Sequence, residues 1–446
     1  MTNQKMNPGK FAILGFQHVF AMFGATVLVP ILTGLPVSAT LLFAGLGTLL
    51  FHLITGRKIP AFLGSSFAFL GGYAMVKTAV EGFNADAGAS LNWIPYAGVG
   101  VMCAGLLYVV VSLLFRAFGA QKVMRFFPPI VTGPIIICIG ITLANSAINN
   151  CTTNWWIALV AIVTVIACNI WGKGMIKIIP ILAGVIVSYA VAAIFGQLNP
   201  EKVQAIAEAP WLALPFEMEN TVFSLFGNTN GDLLISAIVS MMPIALATMV
   251  EHIGDMCAIS STVEKDFISD PGLHRSLLGD GLATTLAAMF GAPANTTYGE
   301  NTGVLALTKV YDPKVVRLAA IIAVVFSFCP KISALISCMP DATIGGVSLI
   351  LYGMISAVGV RNVVENQVDF TKSRNVIIAA LIMSLALGIN FSNAGSIAFT
   401  LFGVSISLSG LAVAAIVGIL LNAVLPGNDY KFGANAQGDK SVNFKV

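Results

Sequence analysis

Long apolar runs recur along the chain, separated by short polar stretches, and most approach the roughly 20 residues that an α-helix needs to cross a bilayer. Twelve are continuous: residues 11–34, 36–55, 96–115, 130–148, 155–170, 178–195, 233–258, 277–290, 315–328, 344–358, 376–387 and 411–425. Two more, 60–80 and 293–309, are apolar but interrupted by Gly, Ser, Asn and Thr. Together they predict an all-α polytopic membrane protein of fourteen transmembrane segments.

The broken segments fall third in the first seven and third in the second seven. Matching interrupted segments in two halves point to a binding site at the repeat interface of a transporter. Seven is odd, so a duplicated plan implies 7+7 inverted repeats. A weaker echo is Gly133 and Gly140 after Pro128-Pro129, against Gly346 and Gly353 after Pro340. After Pro60 and again after Pro293, the local sequence predicts a short extended strand feeding a half-helix. Backbone of that kind is tolerated at membrane depth only where protein or a polar cavity satisfies it. The alternative is an ordinary Gly/Pro kink, which is common in membrane helices.

Composition agrees with a membrane setting. Of the 446 residues, 57% are hydrophobic and 10% charged, against about 25% charged in soluble domains. The net charge of +3 says little; its distribution says more. With both termini cytoplasmic, all of the 23 Lys and Arg fall inside except Lys77, Lys202 and Lys331, as the positive-inside rule expects. The long outer loop, 196–231, carries Glu201, Glu208, Glu217 and Glu219. The first apolar run is too long for a signal peptide and reads as a retained span. The seven cysteines are scattered, with no CxxC or Cys/His cluster, so no metal or disulfide framework is expected.

Three acids lie inside apolar segments: Glu251, Asp255 and Glu300. Asp280 sits near a segment end and reads as solvated. Glu251 and Asp255, four residues apart, share one helix face. An interhelical ion pair is the structural alternative, but no Lys or Arg occurs between Lys202 and Lys265 or between Arg275 and Lys309. Intramembrane carboxylates without cations imply a ligand rich in N–H donors, an exchangeable proton, or both. A planar imide or amide ring fits: its N–H groups meet Glu251 and Glu300, and its carbonyls meet the backbone N–H of Phe67 and Gly299. Phe67 and Tyr298 pack on the ring or merely on neighbouring helices. His252 points away from Glu251 and reads as structural, whereas His18 and Gln17 are candidate partners of Glu251 or Asp255. His52 and His274, near segment ends, have no assigned role.

Four segments carry a family resemblance: residues 17–26 (Gln-His-Val-Phe-Ala-Met-Phe-Gly-Ala-Thr), 63–69 (Leu-Gly-Ser-Ser-Phe-Ala-Phe), 270–275 (Asp-Pro-Gly-Leu-His-Arg) and 295–301 (Asn-Thr-Thr-Tyr-Gly-Glu-Asn). From about residue 11 to 425 the chain resembles bacterial uracil permeases of the nucleobase–ascorbate (nucleobase–cation symporter-2) transporters. The resemblance implies a core domain (11–120, spans 1–4; 232–334, spans 8–11) and a gate domain (121–196, spans 5–7; 335–427, spans 12–14). It implies a homodimer in the cytoplasmic membrane importing uracil with protons, with no other cofactor and no nucleic-acid partner. The family's base-binding glutamates fall on Glu251 and Glu300, its backbone donors on Phe67 and Gly299, its flanking aromatic on Tyr298 and a gate-facing tyrosine on Tyr352. One position departs: the histidine four residues after the first glutamate is Asp255 here, which is similar to the purine-transporting branch. Proton coupling would then involve Glu251, shared with Asp255.

Xanthine or uric acid is the second substrate expectation. An anion transporter or channel is disfavoured because the two glutamates repel anions. An intramembrane enzyme is disfavoured because no nucleophile–base or HExxH pattern occurs.

Overall fold

A computed structural model describes residues 7–227, 229–401 and 404–430. Lys5, Lys431, Lys440 and Lys445, four of the cations placed inside from sequence, lie outside the described residues. Among the described residues the first half runs α1 (Pro8–Thr33), α2 (Val37–Ile54), β1 (Leu63–Ser65), α3 (Leu70–Ala87), α4 (Trp93–Phe118), α5 (Pro129–Thr152), α6 (Trp155–Ile170) and α7 (Pro180–Ile194). The second half runs α8 (Gly231–Met241), α9 (Ile244–Val263), α10 (Leu273–Met289), β2 (Asn295–Thr297), α11 (Gly299–Thr308), α12 (Pro313–Ser327), α13 (Pro330–Ser337), α14 (Asp341–Glu365), α15 (Ser373–Asn390), β3 (Ser396–Leu401), β4 (Val404–Ser409) and α16 (Gly410–Val424).

Asparagines open several helices by accepting otherwise orphaned first-turn N–H groups: Asn7 for α1, Asn92 for α4, Asn154 for α6 and Asn230 for α8. Among the described residues, seven stretches can cross a membrane by length and composition: α1, α2, α4, α5, α8 with α9, α14 and α15. An eighth is the pair α12 and α13, bent by 87°. Helices α6, α7 and α16 are apolar but shorter. The count of fourteen therefore requires the short and the broken segments to be counted as spans.

Both broken segments have the strand-then-helix form expected from their sequences. Strands β1 and β2 pair antiparallel, Leu63 opposite Thr297, Gly64 opposite Thr296 and Ser65 opposite Asn295. Their remaining backbone groups are met from several sides. The Leu63 N–H donates to Thr48 Oγ1 (2.9 Å) and the Ala294 N–H to Tyr73 Oη (2.9 Å), while the Asn295 carbonyl accepts from Thr284 Oγ1 (2.9 Å). The Ser66 and Tyr298 amides donate across the pair to Ala294 and Phe62 carbonyls. This satisfaction is what allows extended backbone so deep in an apolar bundle.

Helices α4 and α10 touch at a glycine crossing. A Cβ on Gly105 would lie 2.6 Å from the Gly281 carbonyl, and one on Gly281 would lie 2.7 Å from that of Gly105. Backbones this close leave no room for a side chain. Gly281→Leu is expected to force the helices apart at a cost of about 1–3 kcal/mol or more, read as a lower thermal unfolding midpoint in detergent.

The Gly133/Gly140 echo is not a shared contact. Gly133 and Gly140 both face α14, where Gly359, Tyr352 and Ser356 crowd them; Gly346 faces Ala158 of α6, and Gly353 has open space around it. A further feature without counterpart in the sequence expectations is the β3–β4 hairpin, paired from Ser396 opposite Ser409 to Leu401 opposite Val404. Ser240 of α8 fastens it by donating to the Ser407 carbonyl (2.6 Å).

Candidate functional site

The β1–β2 pair sets two helix starts side by side. One is the 3₁₀ turn Phe67–Phe69 leading into α3; the other is α11, which begins at Gly299. First-turn amides have no carbonyl one turn earlier to bond, so Phe67 and Gly299 present N–H groups at these starts. Helix N-termini also carry a partial positive charge, suited to carbonyl or anionic ligand atoms.

Helix α9 brings Glu251 and Asp255 alongside, and both are half-buried, as is Glu300. Neither glutamate pairs with a Lys or Arg among the described residues. Glu251, Asp255 and Glu300 are close enough to feel one another's charge. Asp255 is anchored differently from the glutamates: its Oδ2 accepts from Thr297 Oγ1 at 2.7 Å, and its Oδ1 lies 3.7 Å from where a Gly299 side chain would begin. It therefore abuts the junction of β2 and α11.

The aromatics take distinct positions. Tyr298 folds over β1, its hydroxyl donating to the Ser65 carbonyl at 2.9 Å. A Cβ on Gly64 would stand 2.5 Å from two Tyr298 ring carbons and 2.7 Å from Thr26 Oγ1, so glycine is required beneath the ring. Phe67 meets Tyr352 of α14 edge-on, ring centres 5.7 Å apart at 75°. Tyr352 is fully buried, with the Ser348 hydroxyl one turn back on α14 beside its own.

Two sequence expectations are corrected. Asp280 is not solvated: it is fully buried, and its Oδ2 lies 3.1 Å from Nδ1 of His252, itself fully buried. The reason is the crossing of α9 and α10, which puts a residue read as a segment end in the middle of the bundle. His252 also lies 3.5 Å from Thr297 Oγ1, so its structural role extends to the strand that carries Asp255's donor. His18 does not meet Glu251 or Asp255. Its Nδ1 and carbonyl both accept from Asn301 Nδ2, each at 3.1 Å, fixing the first turn of α11 to α1. Gln17 Oε1 is buried without a hydrogen-bond partner among the described residues.

Thr297 and Asn301 are thus positioning residues that sequence reasoning passed over, although both lie in the motif carrying the family resemblance. Among the described residues, no group of three or more His, Cys, Asp or Glu is arranged to hold a metal ion.

Residues 9–395 match the model of a permease family. The chain is 41% identical over 428 residues to the uracil permease of Bacillus caldolyticus, covering 94% of this chain and 93% of that protein. It is 39% identical to the uracil permease of Bacillus subtilis (strain 168), covering 96% and 97%. Among solved structures, the transmembrane domain of the cyanobacterial bicarbonate transporter BicA superposes with a TM-score of 0.59 at 15% identity, covering 93% of this chain and 96% of that one. The structure of SLC26A9 gives a TM-score of 0.63 at 12% identity, covering 93% of this chain and 64% of that one. At such identities the likeness is one of fold alone.

Proposed function

The chain belongs to this permease family as a membrane nucleobase permease, and from that premise we propose that it imports uracil with protons by alternating access. The carrying observation is the meeting of two cation-free glutamates, Glu251 and Glu300, with two helix starts joined by the β1–β2 pair. Uracil alternates N–H and C=O groups around a planar ring. In the proposed pose its N–H groups donate to Glu251 and Glu300, and its carbonyls accept from the Phe67 and Gly299 amides. Tyr298 and Phe67 flank the ring, and Tyr352 closes the site from the α14 side. Glu251 takes up the coupled proton, shared with Asp255.

The packing supports a division into a core (spans 1–4 and 8–11) and a gate (spans 5–7 and 12–14) within fourteen inverted-repeat spans. Helix α4 packs on α10 and α2 on α12, all in the first set; α5 packs on α14, α6 on α7 and α15 on α16, all in the second. Motion of one set against the other, elevator-like or rocking, would expose the site alternately. The distribution of Lys and Arg along the sequence supports cytoplasmic termini. Helix α15 is only 22% buried over its apolar window, which supports a second copy or lipid against it. A homodimer is the proposed assembly.

A xanthine or uric acid carrier is the second reading, favoured by an acid at position 255. Labelled uracil uptake into proteoliposomes tests both. Uptake is expected to rise with an inward proton gradient and to be blocked by excess unlabelled uracil more than by xanthine. Indifference to the gradient would remove proton coupling, and stronger competition by xanthine would transfer the assignment to purines. Asp255→His in the same assay is expected to weaken any residual xanthine competition. Thr297→Val removes the hydroxyl that holds Asp255 and is expected to slow uptake about three- to tenfold, the size of one hydrogen bond.

A further inference from the structure

Away from the substrate site, a cavity of about 560 Å³ opens where the chain enters α5 and leaves α16. It is lined by Lys122, Arg125, Phe126 and residues 423–428. Lys122 and Arg125 are exposed, and neither forms an ion pair with an acid among the described residues. The nearby acid Asp429 is taken by Lys372 at 2.5 Å. The apolar walls are exposed as well, Phe126 by 49% and Val424 by 77%. Two unpaired cations beside open apolar surface, at the end of an apolar helix, call for a ligand that is anionic at one end and greasy at the other.

The floor of the cavity is held in place independently of any ligand. Buried Asn422 donates to the Arg125 carbonyl at 2.9 Å, and Arg374 donates to Asn422 Oδ1 at 2.7 Å and to its carbonyl at 2.8 Å. The Arg125 backbone is thereby fixed while its guanidinium remains available. We propose that this cavity binds the headgroup phosphate of an anionic phospholipid, with Lys122 and Arg125 contacting the phosphate and the acyl chains lying over Phe126 and Val424. Basic pockets between helices at a membrane surface suit such headgroups, each cation contributing about a fivefold gain in binding. The short helix Ala120–Met124 lies between α4 and α5. A lipid seated here thus touches the one segment joining those two helices.

The test is native mass spectrometry of the full chain purified from phosphatidylcholine bilayers containing phosphatidylglycerol, followed by titration with phosphatidylglycerol. Lys122→Ala/Arg125→Ala is expected to lower phosphatidylglycerol binding about 30-fold and leave phosphatidylcholine binding unchanged, whereas Lys314→Ala is expected to alter neither. Lys122→Gln/Arg125→Gln repeats the test with polarity retained, and a matching size-exclusion profile shows that the variants are folded. Unchanged phosphatidylglycerol binding in the folded double variants overturns the proposal. Displacement of the lipid by millimolar inorganic phosphate also overturns it, since the cavity would then be a site for a free anion.

Discussion

Glu300→Gln is expected to lower uracil uptake about 100-fold or more while leaving the carrier folded. In the proposed pose Glu300 accepts an imide N–H with a carboxylate, and such charge-assisted bonds contribute about 1.5–3 kcal/mol. Glutamine keeps the size but offers one oxygen and an N–H₂ that faces the ligand's own N–H. A buried donor set against a donor costs more than a lost bond, because neither group can turn to water. The residue sits in the first turn of α11 with Asn301, which is tied to His18 by two 3.1 Å contacts, so the helix start itself should not move. Initial rates in proteoliposomes and uracil affinity measured by calorimetry provide the check. Unchanged affinity in a monodisperse Glu300→Gln protein would show that the carboxylate is not an acceptor for substrate. Glu300→Asp, which keeps the charge but withdraws it by one methylene, should fall between the two.

The second large effect concerns stability. Asp280→Ala is expected to cost about 1–3 kcal/mol, because it strips the hydrogen-bond partner from a fully buried histidine. The double replacement His252→Leu/Asp280→Leu should recover most of that loss, since two apolar side chains leave no unpaired polar group. Thermal unfolding of His252→Leu, Asp280→Leu and the double variant forms a mutant cycle. A double variant as unstable as the sum of the singles would mean that the 3.1 Å contact contributes nothing as a pair.

Much of this was legible because membrane chemistry is strict. Extended backbone inside apolar sequence needs residues that tolerate it, and Pro60 with Gly64 and Pro293 with Asn295, Thr296 and Thr297 announce both broken segments. Glu251 and Glu300 stand out because no cation accompanies them locally. What stayed hidden depends on contacts between elements distant in sequence. Asp280 and His252 meet only through the crossing of α9 and α10. The bond between Thr297 and Asp255 follows from where β2 ends, which spacing alone does not fix. The hairpin alternates Ser396, Ile397, Ala398 and Phe399 in strand fashion, but the surrounding apolar helices mask so short a period. Pro330 marks the break between α12 and α13, but its 87° angle cannot be read from spacing.

The pairing of Leu63–Ser65 with Asn295–Thr297 also has a consequence for how the protein is made. The second strand leaves the ribosome roughly 230 residues after the first, a delay of about 10–50 s at 5–20 residues per second. A first strand released into hydrocarbon during that interval would have its bonding edge open, which lipid does not satisfy. Nascent chains should therefore remain with the insertion machinery until residue 297 has emerged. A gene cut after residue 230 should give a fragment that is degraded when expressed alone and rescued when the remaining half is supplied in the same cell.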